Sequence, residues 1–130
     1  ESKAESGYRK LQRFFAKVDI CYSCVAKLIV SMAKLDNKKW ILILDRTNWK
    51  FGKLDINILV LSIESHGVGI PILWSMLDNK GGSSNTQERK ELIDKFIKIF
   101  GSDSIESLLG DREFIGDKWL KFLDDKGINF

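Results

Sequence analysis

The sequence predicts an α/β fold: a mixed sheet with flanking helices, preceded by an N-terminal helical segment. Three observations carry this. Apolar runs of strand length recur at 40–44, 56–63, 68–77 and 105–109. Apolar residues at helical spacing fill the segments before, between and after those runs. The connections joining the first three runs are too short to cross a sheet, so those strands are antiparallel neighbours. With 130 residues, of which 44% are hydrophobic, the chain can build one domain around a core. Aromatic content of 11%, a single proline and charges of mixed sign exclude a disordered chain.

Residues 8–35 read as one helix. Leu11, Val18, Val25 and Met32 recur every seven positions, with Phe14, Cys21 and Leu28 as a second series beside them. Asp36-Asn37 ends the segment. Its polar face carries Arg9, Lys10, Arg13, Lys17 and Lys27, a surface suited either to solvent or to a DNA backbone. Trp40 to Leu44 lacks alternation, as a strand buried on both faces does, and it ends in Asp45. A polar connection containing Gly52 leads to the run Ile56 to Ile63. Ser65-His66-Gly67 then turns the chain into Val68 to Leu77. Pro71 has no N–H to give a ladder, which places this third strand at the sheet edge, with the second and first strands following inward.

Asp78 to Ser84 is a loop, and its Gly81-Gly82 is no phosphate cradle because no Gly-Lys-Ser/Thr follows. Asn85-Thr86-Gln87-Glu88 fits a capping box. Leu92, Ile93, Phe96, Ile97 and Phe100 continue at helical spacing to a stop at Gly101. Ile105 to Leu109 is a short strand ending at Gly110-Asp111, and a helix bearing Trp119, Leu120 and Leu123 closes at Gly127. Ile128-Asn129-Phe130 opens a fifth strand. A three-strand meander followed by helix–strand crossovers describes a ribonuclease-H-like mixed sheet of order 3-2-1-4-5, in which the right-handed crossover sets the fourth strand parallel to the first. The expected division is a helical lead-in over 1–36 and a core over 37–130 that is incomplete at its C-terminus.

The net charge of +3 suits a polyanionic partner without requiring one. Cys21 and Cys24 lack the second Cys/His pair that zinc needs, and they fall inside a helical pattern. They therefore read as two small residues on a helix, and as free thiols they suit a reducing compartment. No apolar run reaches membrane-span length and the polar start is no signal peptide, so no membrane partner and a cytoplasmic location are expected.

Chemistry centres on Asp45 and Asp111. Each follows directly on an apolar strand, Leu-Ile-Leu-Asp in one case and Leu-Leu-Gly-Asp in the other. If those strands are adjacent and parallel, both carboxylates emerge at one sheet end. Carboxylates that close need a shared proton or a divalent metal between them. Aspartates also end strands simply to start turns and cap helices.

Leu44-Asp45-Arg46-Thr47-Asn48-Trp49, followed by Phe51-Gly52, resembles the first-aspartate box of bacterial insertion-sequence transposases of the "IS four" type. Pro71-Ile72-Leu73-Trp74, Asn85-Thr86-Gln87-Glu88-Arg89 and Leu109-Gly110-Asp111-Arg112-Glu113-Phe114-Ile115-Gly116 resemble that family's later landmarks in the same order. Tyr8-Arg9-Lys10-Leu11-Gln12-Arg13-Phe14-Phe15 is similar to the lead into its catalytic domain.

The resemblance implies an acidic-triad (DDE) DNA transposase whose first two acids are Asp45 and Asp111, both catalytic and both ligands for Mg2+, with Mn2+ as a substitute. The implied partner is the double-stranded DNA of the transposon ends, and Arg9, Arg13, Arg46 and Arg112 are the residues whose charge and position suit contacts to it. A homodimer of the full-length protein and a bacterial, nucleoid-associated location follow from the same likeness. The family's third acid, a glutamate in a Tyr-Arg-Glu-Lys signature, has no counterpart before Phe130, so this fragment is expected to be inactive or nearly so.

Within the chain, Glu113 is expected to pair with a nearby base or to face solvent, Glu88 to serve the capping box, and Glu64 to end the second strand. Arg46 and Arg112 suit either a DNA phosphate or the balancing of the two carboxylates. Trp49 and Trp74 suit packing more than base stacking, and His66 an exposed turn. Two other readings compete with the transposase: a folded remnant that binds DNA without chemistry, and a ribonuclease-H-like nuclease acting on RNA–DNA hybrids.

Overall fold

The computed structural model describes residues 3–35, 39–52, 54–77 and 84–130, with the side chains of 3, 4, 15, 49, 51 and 54 excepted. The elements are α1 (Lys3–Lys17), α2 (Tyr22–Met32), β1 (Trp40–Phe51), β2 (Leu54–Ser65), β3 (Val68–Met76), α3 (Thr86–Phe100), β4 (Ile105–Gly110) and α4 (Asp117–Asp125). Short 3-10 turns precede and follow β4 at Ser102–Ser104 and Arg112–Phe114.

The strands form one sheet of order β3-β2-β1-β4. β1 pairs antiparallel with β2, β2 antiparallel with β3, and β1 parallel with β4. The sequence anticipated this order. Pro71 lies on the edge strand, where its register partner is Ser62 beside an irregularity in the ladder, so its missing N–H breaks no interior pairing. A complete fifth strand is not present among the described residues. Asn129 makes a single parallel bridge to Ser107, and its carbonyl accepts from Leu108 N at 2.8 Å on the outer side of β4.

β1 departs from expectation at its far end. Instead of stopping at Asp45, it continues to Phe51, and the hairpin closes at Phe51 and Leu54. β-branched residues (Thr47, Ile56, Ile58) supply the propensity there. Parallel pairing with β4 nonetheless ends at Leu44 and Gly110, so Asp45 still lies one step past the last parallel rung.

The sheet has two unlike faces. Leu42, Leu44, Leu59, Leu61, Ile63, Leu73 and Leu108 are buried on one of them. Against it pack Ala26 of α2, Leu92, Ile93 and Phe96 of α3, and Trp119 and Leu123 of α4. Burying these side chains is what holds the layers together, at roughly 1.5–3 kcal/mol for each leucine, isoleucine and phenylalanine. On the opposite face Ile41, Ile43, Ile58 and Val60 are only half-buried, and Leu109 is 50% exposed.

The expected single helix over 8–35 is two helices. Residues 18–20 leave the helix, and Cys21 takes extended backbone (φ −73°, ψ 90°) as the N-cap of α2, its sulfur accepting from Cys24 N at 3.3 Å. Cys21 therefore lies outside the helix, and it is disulfide-bonded to Cys24, which corrects the reading of two free thiols on a helix. The seven-residue series is likewise not a buried stripe: Leu11, Phe14, Val18, Leu28 and Met32 are all exposed. What α2 buries is Ala26, flanked by Ile29 and Val30. The boundary expected between 36 and 37, the turn at Asp36-Asn37 and the Gly81-Gly82 loop lie outside the described residues.

α3 begins as its sequence dictates. Asn85 Oδ1 accepts from Glu88 N at 2.9 Å, and Glu88 Oε2 accepts from Asn85 N at 2.8 Å. Gly101, at φ +86°, closes the helix. None of the helices is long and apolar enough to cross a membrane among the described residues.

Candidate metal and DNA site

Because Leu44 and Gly110 are register partners on adjacent parallel strands, the residues that follow them, Asp45 and Asp111, stand side by side at one end of the sheet. Neighbouring strands lie about 4.8 Å apart. Asp45 pairs with Val60, and Ile43 one step back on the same face pairs with Ser62, so strand alternation sets Asp45 on the face opposite the buried Leu42 and Leu44. Extended backbone at Asp111 (φ −70°, ψ 161°) carries the chain one residue past β4, where Asp111 borders a small cavity with Leu44, Leu108, Phe114 and Trp119. Both aspartates are exposed.

Their immediate surroundings repeat. Asp45 Oδ1 accepts from Arg46 N at 2.8 Å, and Asp111 Oδ1 accepts from Arg112 N at 2.5 Å, capping the 3-10 turn. In each case one carboxylate oxygen is held by the next amide and the other is left without a protein partner among the described residues. Gly110 has a steric reason to be glycine: a Cβ there would meet Phe114 Cδ2 at 3.1 Å and Leu44 O at 3.7 Å. The small residue lets the turn after β4 fold back over the strand and fixes where Asp111 leaves it.

Arg46 and Glu113 form a bidentate ion pair, Nε to Oε1 at 2.9 Å and Nη2 to Oε2 at 2.9 Å. Side-chain exposures of 18% and 27% make it a half-buried pair. It ties the strand step after Asp45 to the turn after Asp111. Hydrogen bonding from Arg46 holds the Glu113 carboxyl below its ordinary value, against a smaller opposing effect of burial, and the same bond raises the Arg46 guanidinium.

Behind this pair stands Arg89 of α3, buried, with its guanidinium 5.1 Å from the centroid of the Phe114 ring. Arg89 Nε donates to Ser84 Oγ at 3.0 Å, and its Nη2 donates to the Ser84 carbonyl. Burial lowers the Arg89 guanidinium, while the charges of Glu113 and Glu88 act in the other direction.

The structure thus brings together Asp45, Asp111, Arg46 and Glu113, with Arg112 exposed beside them. Of the two uses expected for Glu113, pairing with a base and facing solvent, the structure shows the first, and the base is Arg46. Arg9 and Arg13 are elsewhere, on the exposed α1, where Arg9 Nη2 bonds Glu5 Oε1 at 3.1 Å. Glu64 accepts from Gly67 N in the β2–β3 turn, and His66 Nδ1 lies 3.0 Å from Ser65 Oγ in that same exposed turn. Trp74 packs edge-on against Tyr22 at 5.3 Å, a packing use, while the side chain of Trp49 lies outside the described residues. Arg89 and Ser84 were missed by sequence reasoning. A basic residue in the first turn of a helix and a serine in a loop give no sign that they close on one another.

Two exposed carboxylates with free oxygens form a hard-oxygen pair that fits Mg2+ or Mn2+. Among the described residues no cluster of three or more His, Cys, Asp or Glu able to hold a metal ion occurs.

The layer order, the register and the position of the two aspartates define a ribonuclease-H-like α/β fold. No protein-family profile and no curated protein matches the chain. Among solved structures, the chain is similar to the Mos1 transposase catalytic domain determined with raltegravir and Mn, with a TM-score of 0.50 and 11% identity over 83% of this chain. It spans about half, 56%, of that domain. At that identity the likeness is one of fold.

Proposed function

We propose that this chain is part of the catalytic core of a DNA transposase of the acidic-triad type, similar to the "IS four" insertion-sequence group. The observation that carries the reading is the register: two aspartates, distant in sequence, leave adjacent parallel strands one step past the Leu44–Gly110 rung. The fold shared with a transposase catalytic domain supports it, as do the Asp-Arg-Thr-Asn-Trp and Gly-Asp-Arg-Glu-Phe boxes.

Asp45 and Asp111 would hold Mg2+ or Mn2+ through their free oxygens. Divalent ions in such a site polarise phosphoryl oxygens and activate the attacking hydroxyl for in-line displacement. The chain's own part is placement. The amides of Arg46 and Arg112 orient the two carboxylates, the Arg46–Glu113 pair fixes the distance between their backbones, and Arg112 offers a cation to a DNA phosphate. A site built on these two acids alone should cleave DNA orders of magnitude more slowly than one with a third ligand.

The test is nicking of supercoiled DNA in Mg2+, with an RNA–DNA hybrid in parallel. The transposase reading expects trace, metal-dependent nicking of DNA that Asp45→Asn and Asp111→Asn abolish. Cleavage of the hybrid alone would shift the assignment to a hybrid nuclease. DNA affinity indifferent to Mg2+ and to both substitutions, with no nicking, would point to a remnant that only binds.

A further inference from the structure

A second surface of the molecule has the makings of a ligand site. Between α2, β3 and α3 lies a groove of about 370 Å³, away from the aspartates. Its floor is apolar, with Leu73 only 2% exposed and Ile99 half-buried. Lys27 stands on the α2 wall, and Lys95 and Lys98, one helical turn apart, stand on the α3 wall. Tyr22 lines the groove near the start of α2. Its ring is edge-on to Trp74 and the residue is 49% exposed.

The three lysines of this groove are without an ion-pair partner among the described residues. The nearest acids of α3 point to other partners: Asp94 pairs with Lys126 at 3.0 Å, and Glu91 accepts from the neutral Gln87 at 3.0 Å. Lys27, Lys95 and Lys98 make no ion pair among the described residues, and α2 contains no acidic residue. Three ammonium groups on facing walls of one groove repel one another, and an anion between them removes that cost. The apolar floor is recessed beneath the amines, which suits a strand lying in the groove better than a bilayer, whose binding needs an apolar surface that projects. An exposed aromatic face beside a cationic track is the combination that binds single-stranded nucleic acid, the base stacking while amines follow the phosphates.

We propose that this groove is a binding site for a single strand of nucleic acid, with Lys27, Lys95 and Lys98 on successive phosphates and Tyr22 stacked on a base. The site is independent of the aspartate pair and stands whether or not that pair holds metal. The test uses the full chain, disulfide intact, in EDTA. Anisotropy of a labelled oligothymidylate of about 15 nucleotides is followed against salt.

The triple variant Lys27→Ala, Lys95→Ala, Lys98→Ala should flatten the slope of log K against log salt by about 2, at roughly 0.7 for each phosphate that is no longer neutralised. Tyr22→Ala should weaken binding about tenfold and leave the slope alone, while Tyr22→Phe keeps the affinity. The pair Lys118→Ala, Lys121→Ala on α4 is the charge control and should leave the slope within about 1 of the wild type. All these side chains are exposed, so the variants should fold, and circular dichroism checks that they do. A triple variant no different from the α4 control overturns the proposal. So does an unchanged affinity in Tyr22→Ala, or polyglutamate that competes as well as the oligonucleotide at equal charge.

Discussion

At the scale of single residues, the site is one motif used twice: an aspartate whose inner oxygen is held by the amide of the arginine after it. The two arginines then diverge. Arg112 stays at the surface, while Arg46 commits both donors of its guanidinium edge to Glu113. Arg46→Ala or Glu113→Gln should therefore cost about 1–3 kcal/mol in urea unfolding, because each leaves a half-buried charged partner unmatched. The sign of the pH dependence follows from the depressed Glu113 carboxyl. A group whose folded value is lowered contributes stability that is fully present above its ordinary value, about 4.3, and is lost as pH falls through the lower, folded value. The wild type should lose that contribution over this acid window and Arg46→Ala should not. Equal acid sensitivity of the two proteins would show the pair to be energetically idle. The aspartates were legible because each ends an apolar run. Arg89 was not, since its bonds to Ser84 and its place over Phe114 join segments that only the folded chain brings together.

Local signals were read well in the second half of the chain and badly in the first. Asn85 and Glu88 satisfy one another's backbone within four residues, so the start of α3 needs no tertiary information. Asn85→Ala should lower stability by about 1 kcal/mol, measurable as a shift in the urea midpoint at constant slope. An unchanged midpoint would mean that α3 is held by its buried face alone. The N-terminal segment misled because its apolar residues keep helical spacing across a break. Periodicity reports which residues share a face, not whether the backbone stays helical, and the cap at Cys21 with its disulfide to Cys24 interrupts the helix without proline or glycine. The continuation of β1 past Asp45 was hidden for a different reason. Lys50, Lys53 and Asp55 look like loop residues, yet Lys50 and Asp55 are register partners in the long hairpin.

At the scale of the whole molecule, topology does the work that sequence distance conceals. The crossover through α3 brings β4 back beside β1, and their register aligns Leu44 with Gly110, so two aspartates far apart in the chain share one sheet end. That much followed from run lengths, connection lengths and one proline. The expectation that β1 is buried on both faces fails: Leu42 and Leu44 are buried beneath α2, α3 and α4, while Ile41 and Ile43 on the opposite face are only half-buried.

The central claim is that Asp45 and Asp111 form one metal-binding pair, and Mn2+ binding followed by loss of the free-ion electron paramagnetic resonance signal tests it most directly. The wild-type chain should take up the ion at concentrations on the order of millimolar, and Asp45→Asn and Asp111→Asn should each weaken uptake at least about tenfold. Glu64→Gln, in a turn away from the pair, should leave it unchanged. Uptake that survives both aspartate substitutions, or a wild-type chain that takes up no ion at all, would contradict the claim.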